Sequence, residues 1–141
     1  MKAIILVAGL GNRLLPLTED KPKCLIEFSG KTLLDRLLKT FKSGGINDIV
    51  LVIGHKSEKI NNVDLNLVKN EKYSKTGIMH SLFCASEKFE EAVIVSYGDI
   101  IFENSVLEKL LESKYDITAV VDKKWKKVDK KIGRASCRER V

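Results

Sequence analysis

A short segment near the amino terminus carries the residue types that bind phosphate. Gly9 and Gly11 stand directly after an apolar run, and Arg13 and Lys23 follow in the same segment. Glycines let the backbone turn sharply and approach phosphate oxygens that a Cβ would obstruct, and the N–H groups freed in such a turn form an anion-binding concavity. The Arg13 guanidinium can donate two hydrogen bonds to phosphate, and Lys23 adds a compact second charge. The segment therefore predicts a triphosphate site.

Two commoner phosphate-binding motifs do not fit the sequence. The dinucleotide fingerprint requires Gly-x-Gly-x-x-Gly, and Leu14 stands where its third glycine belongs. Gly30-Lys31-Thr32 resembles the end of a P-loop, but Leu25 stands where that motif requires its first glycine. We therefore interpret the tripeptide as a turn followed by a helix cap.

Apolar strands alternate with amphipathic helices along the chain, which predicts an α/β fold. Strands are expected over residues 2–8, 49–53, 65–68, 92–96 and 117–121. Helices are expected from Thr32 to Gly44, over 78–89, and from a Ser105/Glu108 capping box through Leu111. This order implies a Rossmann-like, mainly parallel sheet with helices on both faces. In such sheets, ligands bind beyond the carboxyl ends of the strands.

A second group of candidate residues follows the strand expected at residues 92–96. Gly98 and Asp99 stand just after it, at the sheet edge where the glycine loop is also expected. A carboxylate beside a triphosphate is a natural ligand for Mg²⁺, and Gly98 lets the backbone approach closely. A turn at Gly77 opens the following helix and offers N–H groups to a nucleobase or ribose.

The amino-terminal motif resembles the signature of the NTP transferases, which join a nucleoside monophosphate to a sugar phosphate or a phospho-alcohol. That signature is usually Ala-Ala-Gly-x-Gly-Thr-Arg-Leu-x-Pro-Leu-Thr, followed after a few residues by Pro-Lys. This chain reads Val7-Ala8-Gly9-Leu10-Gly11-Asn12-Arg13-Leu14-Leu15-Pro16-Leu17-Thr18 and then Pro22-Lys23. Its two departures, Val7 for Ala and Asn12 for Thr, remove neither a charge nor a glycine.

The resemblance implies roles for individual residues. Arg13 and Lys23 are the expected catalytic residues, Arg13 on the β- and γ-phosphates and Lys23 beside the α-phosphate or the incoming phosphate. Asp99 is the expected metal ligand, and Mg²⁺ is the expected cofactor. The expected nucleotide-binding residues are Ala8, Gly9, Leu10, Gly11, Asn12, Thr76, Ser81 and Gly98.

Further segments of the sequence are similar to those of the phosphocholine cytidylyltransferase-like branch of the family, in particular Tyr-Gly-Asp at 97–99 and Val-Val-Asp-Lys-x-Trp at 120–125. This similarity favours transfer of a nucleoside monophosphate from an NTP, with CTP preferred, to a phosphorylated small alcohol such as phosphocholine or to a phosphonate, with release of pyrophosphate. A sugar-1-phosphate uridylyl- or thymidylyltransferase is the alternative within the family. A nucleotide-binding regulatory module without transfer activity is the alternative of another class. The base, the acceptor and the oligomeric state stay open.

Composition sets further limits. The chain has 141 residues, 44% of them apolar, which suffices for one domain with a core. No apolar run reaches the ~18 residues of a membrane span and no leader is visible, so we expect a cytoplasmic protein without a membrane partner. The net charge of +6 is concentrated in the lysine run 123–131, which we interpret as a solvated segment and not as a nucleic-acid site. The expected partners are an NTP and a small phosphorylated substrate.

Residues 132–141 resemble the translation of a common sequencing adapter, and we expect them to be a non-native tail. Residues 1–131 are then expected to be the N-terminal portion of a nucleotidyltransferase domain, truncated relative to the family. Such a fragment is expected to catalyse poorly by itself.

Overall fold

Strands and helices alternate through residues 1–61, 65–89 and 92–123, the part of the chain that the computed structural model describes. The strands are β1 (Lys2–Leu6), β2 (Glu27–Phe28), β3 (Lys31–Thr32), β4 (Ile49–Ile53), β5 (Asn66–Lys69) and β6 (Val93–Tyr97). The α-helices are α1 (Leu33–Ser43), α2 (Ile78–Cys84) and α3 (Asn104–Leu111). The described residues group into a larger unit, Met1–Leu107, and a smaller one that begins at Glu108.

Four of the described strands form one parallel sheet in the order β5-β4-β1-β6. The register places Ile5 between Leu51 of β4 and Ser96 of β6. All five residues of β4 are buried, as expected of a strand covered on both faces. All four carboxyl ends lie at one edge of the sheet, so the loops that follow β1, β4, β5 and β6 meet there.

Helices cover both faces of this sheet. Alternate residues of β1 point to opposite faces, and both sets are buried. On one face, Ile4 and Leu6 belong to a cluster that also holds Ile78 and Leu82 of α2. Helix α1 contributes the buried residues of its apolar stripe, which are Leu34, Leu37, Leu38 and Phe41. The predicted Rossmann-like α/β fold is therefore confirmed.

The segment Gly30-Lys31-Thr32 forms a tight hairpin and then a helix cap. Ser29 and Gly30 both have positive φ, and they join β2 to β3 as a two-residue turn. The Thr32 side chain accepts a hydrogen bond from the Asp35 N–H, and the Asp35 carboxylate accepts one from the Thr32 N–H. This reciprocal capping box begins α1, which confirms the turn-and-cap interpretation.

Several elements predicted from sequence differ in the structure, beginning with β1, which ends at Leu6 and not at residue 8. Residues 117–121 pair with no strand in the described part of the chain, because apolar β-formers make a strand only where a neighbour supplies the ladder. Helix α3 begins at Asn104, so Ser105 lies inside its first turn and is not the cap. Helix α2 ends at Cys84 and a 3₁₀ turn, Ser86–Lys88, follows, which leaves Phe89 37% exposed and not inward-facing.

Two further expectations fall outside the described residues. The lysine run continues beyond Lys123, and the adapter-like tail occupies 132–141, so the structure describes neither. Within residues 1–61, 65–89 and 92–123, no helix combines the length and the apolar character needed to cross a bilayer.

Candidate nucleotide-binding site

The loops that follow β1 and β6 enclose a cleft of about 140 Å³ at the carboxyl edge of the sheet. The chain runs from β1 to β4 on one side of β1, and later returns to β6 on its other side. The cleft therefore lies at the point where the strand order reverses, the place where open α/β sheets bind ligands. Its lining residues are Leu6, Val7, Gly9, Gly11, Lys23, Cys24, Ile78, Tyr97, Gly98 and Asp99.

The loop after β1 is held in a defined shape by Gly11 and Thr18. Gly11 has φ +70°, a left-handed conformation that favours glycine. Its carbonyl oxygen accepts hydrogen bonds from the Leu14 N–H at 2.9 Å and from the Thr18 hydroxyl at 3.0 Å. Thr18 is only 2% exposed. The Pro-Leu-Thr end of the motif thus ties the loop back onto its glycine turn.

The same loop presents unpaired backbone donors. The N–H groups of residues 9–12 donate to no acceptor among the residues that the structure describes. Gly9 is exposed, and a Cβ built on it would meet nothing within 4 Å. Consecutive unpaired N–H groups around a left-handed glycine form the concavity that binds anions.

A lysine and an aspartate that line the cleft are paired with each other. The Lys23 ammonium forms an ion pair with the Asp99 carboxylate, and both side chains are about one-third exposed. Lys23 begins the 3₁₀ turn Lys23–Leu25, which lies just before β2, and Asp99 follows β6. Two residues distant in sequence are therefore brought together at one edge of the sheet, as the parallel topology requires.

Gly98 places Asp99 by letting the backbone come close to β1. Its N–H donates to the Leu6 carbonyl at 3.1 Å, which extends the β1–β6 ladder by one bond. A Cβ at this position would overlap the Val7 side chain. A glycine at this position lets the chain after β6 stay close to β1, and this close approach positions the carboxylate of Asp99.

Cys24 forms part of the cleft wall as a neutral thiol. The pKa of this thiol is raised to about 12, mainly by burial and in smaller part by the nearby Asp99 carboxylate, although a backbone hydrogen bond acts to lower it. A thiol with this pKa stays protonated at neutral pH, so it adds no negative charge to a cleft suited to anions.

Residues 70–77 follow β5 and form a turn organised around Asn70. We call this turn the second wall, because the next residue, Ile78, lines the cleft. Asn70 is buried, with 1% of its surface exposed. Its Oδ1 accepts from the Lys72 N–H at 2.9 Å, and its Nδ2 donates to Thr76 Oγ1 at 3.1 Å and to Ser81 Oγ at 3.0 Å. These bonds fold residues 70–77 into a compact turn that leads into α2.

Gly54 lies close both to this wall and to the start of the phosphate loop. A Cβ on Gly54, the residue after β4, would come within 2.7 Å of Tyr73 Cβ and 2.8 Å of the Ala8 carbonyl oxygen. The His55 N–H donates to that same carbonyl at 3.1 Å. Because it lacks a Cβ, Gly54 allows both the Ala8 segment and the Tyr73 segment to come close to its own backbone.

The structure brings together some of the predicted residues and separates others from the cleft. Gly9, Gly11, Lys23, Gly98 and Asp99 line it. The remaining candidates do not line it. In the phosphate loop, Ala8 is buried, Leu10 is partly buried, and Asn12 and Arg13 are exposed on a 3₁₀ turn. Thr76 and Ser81 are hydrogen-bonded to Asn70. Sequence reasoning assigned no role to Thr18 or Asn70, although Thr18 closes the motif.

The donors at the cleft fit a magnesium ion that is held jointly with a ligand. Magnesium in nucleotide sites is bound through one or two carboxylates, and phosphate oxygens and water complete its shell. Among the described residues, no three His, Cys, Asp or Glu side chains gather in one place. Asp99 offers one carboxylate beside the unpaired N–H groups of the loop, which suits a metal that arrives with phosphate.

A parallel α/β sheet with unpaired loop N–H groups and a carboxylate at its switch point is typical of nucleotide-binding domains. The chain matches the MobA-like NTP transferase domain over residues 3–141, and it belongs to that family. The resemblance stated from the motif is thereby confirmed.

Two curated relatives are cytidylyltransferases. The chain is 38% identical over 139 residues to the CTP:phosphoglutamine cytidylyltransferase of Campylobacter jejuni, covering 91% of this chain and 55% of that protein. It is 34% identical over 119 residues to the choline-phosphate cytidylyltransferase of Streptococcus pneumoniae, covering 82% and 52%. The chain thus spans about half the length of these relatives.

Solved structures agree with this placement. The CTP:phosphocholine cytidylyltransferase of S. pneumoniae superimposes with a TM-score of 0.67 at 35% identity, covering 74% of this chain and 49% of that one. The inositol-1-phosphate CTP transferase of T. maritima superimposes with a TM-score of 0.68 at 30% identity, covering 82% and 49%.

Proposed function

We propose that this chain binds a nucleoside triphosphate, and that the whole protein transfers the nucleoside monophosphate to a small phosphorylated acceptor. CTP is the proposed donor. A phosphorylated small alcohol such as phosphocholine, or a phosphonate, is the proposed acceptor. The names of the relatives support CTP as the donor and a phosphorylated small molecule as the acceptor. The observation that carries the proposal is the run of unpaired N–H groups at residues 9–12 beside Lys23 and Asp99.

The proposed reaction has an electrostatic barrier. An anionic oxygen of the acceptor attacks the α-phosphorus, the bond from that phosphorus to the bridging oxygen breaks, and pyrophosphate leaves in line with the attack. Two anions must meet, and negative charge moves onto the leaving group, so positioned donors and cations supply most of the catalysis. An acceptor phosphate oxygen is already a nucleophile, so no side chain is required as a general base.

Each part of the site has a proposed task. The N–H groups of residues 9–12 and Arg13 bind the β- and γ-phosphates, and Arg13 stabilises the departing pyrophosphate. Lys23 orients the α-phosphate or the incoming phosphate, and Asp99 holds Mg²⁺, which would neutralise phosphate charge when bound. The Lys23–Asp99 ion pair must open before either side chain can take up its ligand.

The nucleoside is proposed to lie beside the loop and the second wall. Ala8, Leu10 and Gly98 are proposed to border it, and Thr76 and Ser81 are proposed to contact its base or ribose. The closeness of Gly54 both to Tyr73 of the second wall and to Ala8 of the phosphate loop supports this position.

Boundaries and location remain proposals as well. Residues 1–131 are proposed to be the N-terminal portion of the transferase domain, and residues 132–141 a non-native tail, which resequencing of the gene would test. The cytoplasm is the proposed location. Cys24 and Cys84 are free thiols, a state that reducing compartments maintain.

A screen for pyrophosphate release tests the proposed function. The intact gene product is assayed with each of the four NTPs and dTTP against phosphocholine, aminoethylphosphonate and glucose 1-phosphate. Release with CTP and one of the first two acceptors is expected. Release only with UTP or dTTP and glucose 1-phosphate would replace the proposal with a sugar-nucleotide activity. Nucleotide binding by calorimetry with no release in any combination would indicate a regulatory module.

A further inference from the structure

Asn70 is a buried polar side chain whose orientation the structure determines. A backbone N–H can only donate, so the atom that faces the Lys72 N–H at 2.9 Å must be the amide oxygen. The amide nitrogen then faces Thr76 Oγ1 and Ser81 Oγ, and both of its hydrogens are used. The direction of every hydrogen bond in this cluster follows from that one contact.

The two hydroxyl groups are consequently left in different states. Thr76 Oγ1 accepts from Asn70 and donates to the Lys72 carbonyl at 2.8 Å, so its hydrogen is used inside the turn. Ser81 Oγ accepts from Asn70, and its own hydrogen is donated to no acceptor in the described part of the chain. Ser81 is 7% exposed, and a buried hydroxyl normally satisfies its donor.

The Ser81 hydroxyl is bonded to the turn that leads into α2, beside the cleft-lining residue Ile78. It stands one helical turn after Ile78, the residue of α2 that lines the cleft. The turn held by Asn70 also presses Tyr73 against Gly54, next to the phosphate loop. A nucleoside that extends from the phosphate loop towards Ile78 would therefore approach Ser81.

We propose that Asn70 is a positioning residue that fixes the Ser81 hydroxyl as a hydrogen-bond donor to the nucleoside part of the nucleotide. The inference rests on the proposed function and extends it to a residue and a bond direction. Asn70 touches no substrate atom in this scheme and acts through Ser81. The ligand atom that Ser81 meets is an acceptor, such as a pyrimidine carbonyl oxygen, a ring nitrogen or a ribose oxygen.

The variants Asn70→Asp and Ser81→Ala test this inference by separating nucleoside binding from phosphate binding. An aspartate at position 70 still accepts from the Lys72 N–H, but it takes up the Ser81 hydrogen and withdraws it from the ligand. Asn66→Asp is the matched control, because it makes the same change at an exposed position of β5. Affinities of the full chain for CTP and for inorganic tripolyphosphate, each with Mg²⁺, are measured by calorimetry, with a thermal melt of every variant.

Both test variants are expected to weaken CTP binding about tenfold, the scale of one hydrogen bond, and to leave tripolyphosphate binding within about twofold. The double variant is expected to lose no more than either single one, because the two residues act through the same bond. Ser81→Ala alone keeps the test decisive if Asn70→Asp does not fold.

The outcomes are distinguishable. If the unaltered chain binds neither CTP nor tripolyphosphate, the proposed function fails and this inference falls with it. If it binds both, and the variants weaken both ligands equally or neither, the proposed function stands and the role of Asn70 is overturned. Fully additive losses in the double variant would also overturn it.

Discussion

Replacing Lys23 with methionine should separate the stability of the fold from the function of the site. The variant removes the ammonium and keeps most of the volume of the side chain. Lys23 and Asp99 are 38% and 34% exposed, and an ion pair at such exposure contributes at most about 1 kcal/mol to stability. The free energy of unfolding should therefore change little.

The effect on phosphate binding should be much larger. At 4 Å and an effective dielectric constant of about 20, one positive charge attracts one phosphate charge by roughly 4 kcal/mol before solvation is subtracted. Loss of one such donor from a transition state lowers turnover by at least ~10²-fold. Lys23→Met and Arg13→Ala are each expected to show a loss of that size in the intact gene product.

Pyrophosphate release, calorimetry with CTP and a thermal melt give the three readouts. Lys21→Met is the matched control, because it removes the same charge from the same loop and lies two residues away. Unchanged turnover in Lys23→Met would refute the catalytic role. A loss equal to that of Lys21→Met would mean that only the net charge of the loop matters, and a collapsed melting temperature would mean that the ion pair is structural.

Three further predictions follow from the described contacts. Gly9→Ala should leave the melting temperature unchanged, because its Cβ meets nothing within 4 Å, but it should weaken CTP binding measured by calorimetry. Gly98→Ala should lower the free energy of unfolding in denaturant by about 1–3 kcal/mol, because its Cβ overlaps Val7. Equal behaviour of the two variants would contradict this account. Thr32→Ala should cost about 1 kcal/mol in urea unfolding through loss of the α1 cap, with nucleotide affinity unchanged, and an altered affinity would speak against it. Burial keeps the pKa of the Cys24 thiol at about 12 against an ordinary 9.0, so the folded state holds a proton that the unfolded state releases. Stability should fall as pH rises from about 9 to 12, by at most ~1.4 kcal/mol per pH unit, and Cys24→Ala should unfold with a shallower pH dependence.

Local pattern in the sequence determined the elements and the phosphate loop. The continuous apolar run Ile49–Ile53 is a strand with the predicted bounds, and the Thr32 cap and the glycines after Ser43 delimit α1 as expected. These features depend on side-chain period, capping and backbone freedom, which are properties of a few neighbouring residues. The position of Gly9, Gly11 and Arg13 after a buried strand is of the same kind.

Tertiary structure decided what depends on distant partners. The pairing of Lys23 with Asp99 requires β6 to lie next to β1, and strand order is not contained in local pattern. The apolar run 117–121 forms no ladder in the described residues, although its composition favours a strand, because a strand needs a neighbour. The roles of Thr18 and Asn70 could be inferred only from their burial and hydrogen bonds in the structure. The role of a buried polar side chain depends on the groups that surround it, which local sequence does not reveal.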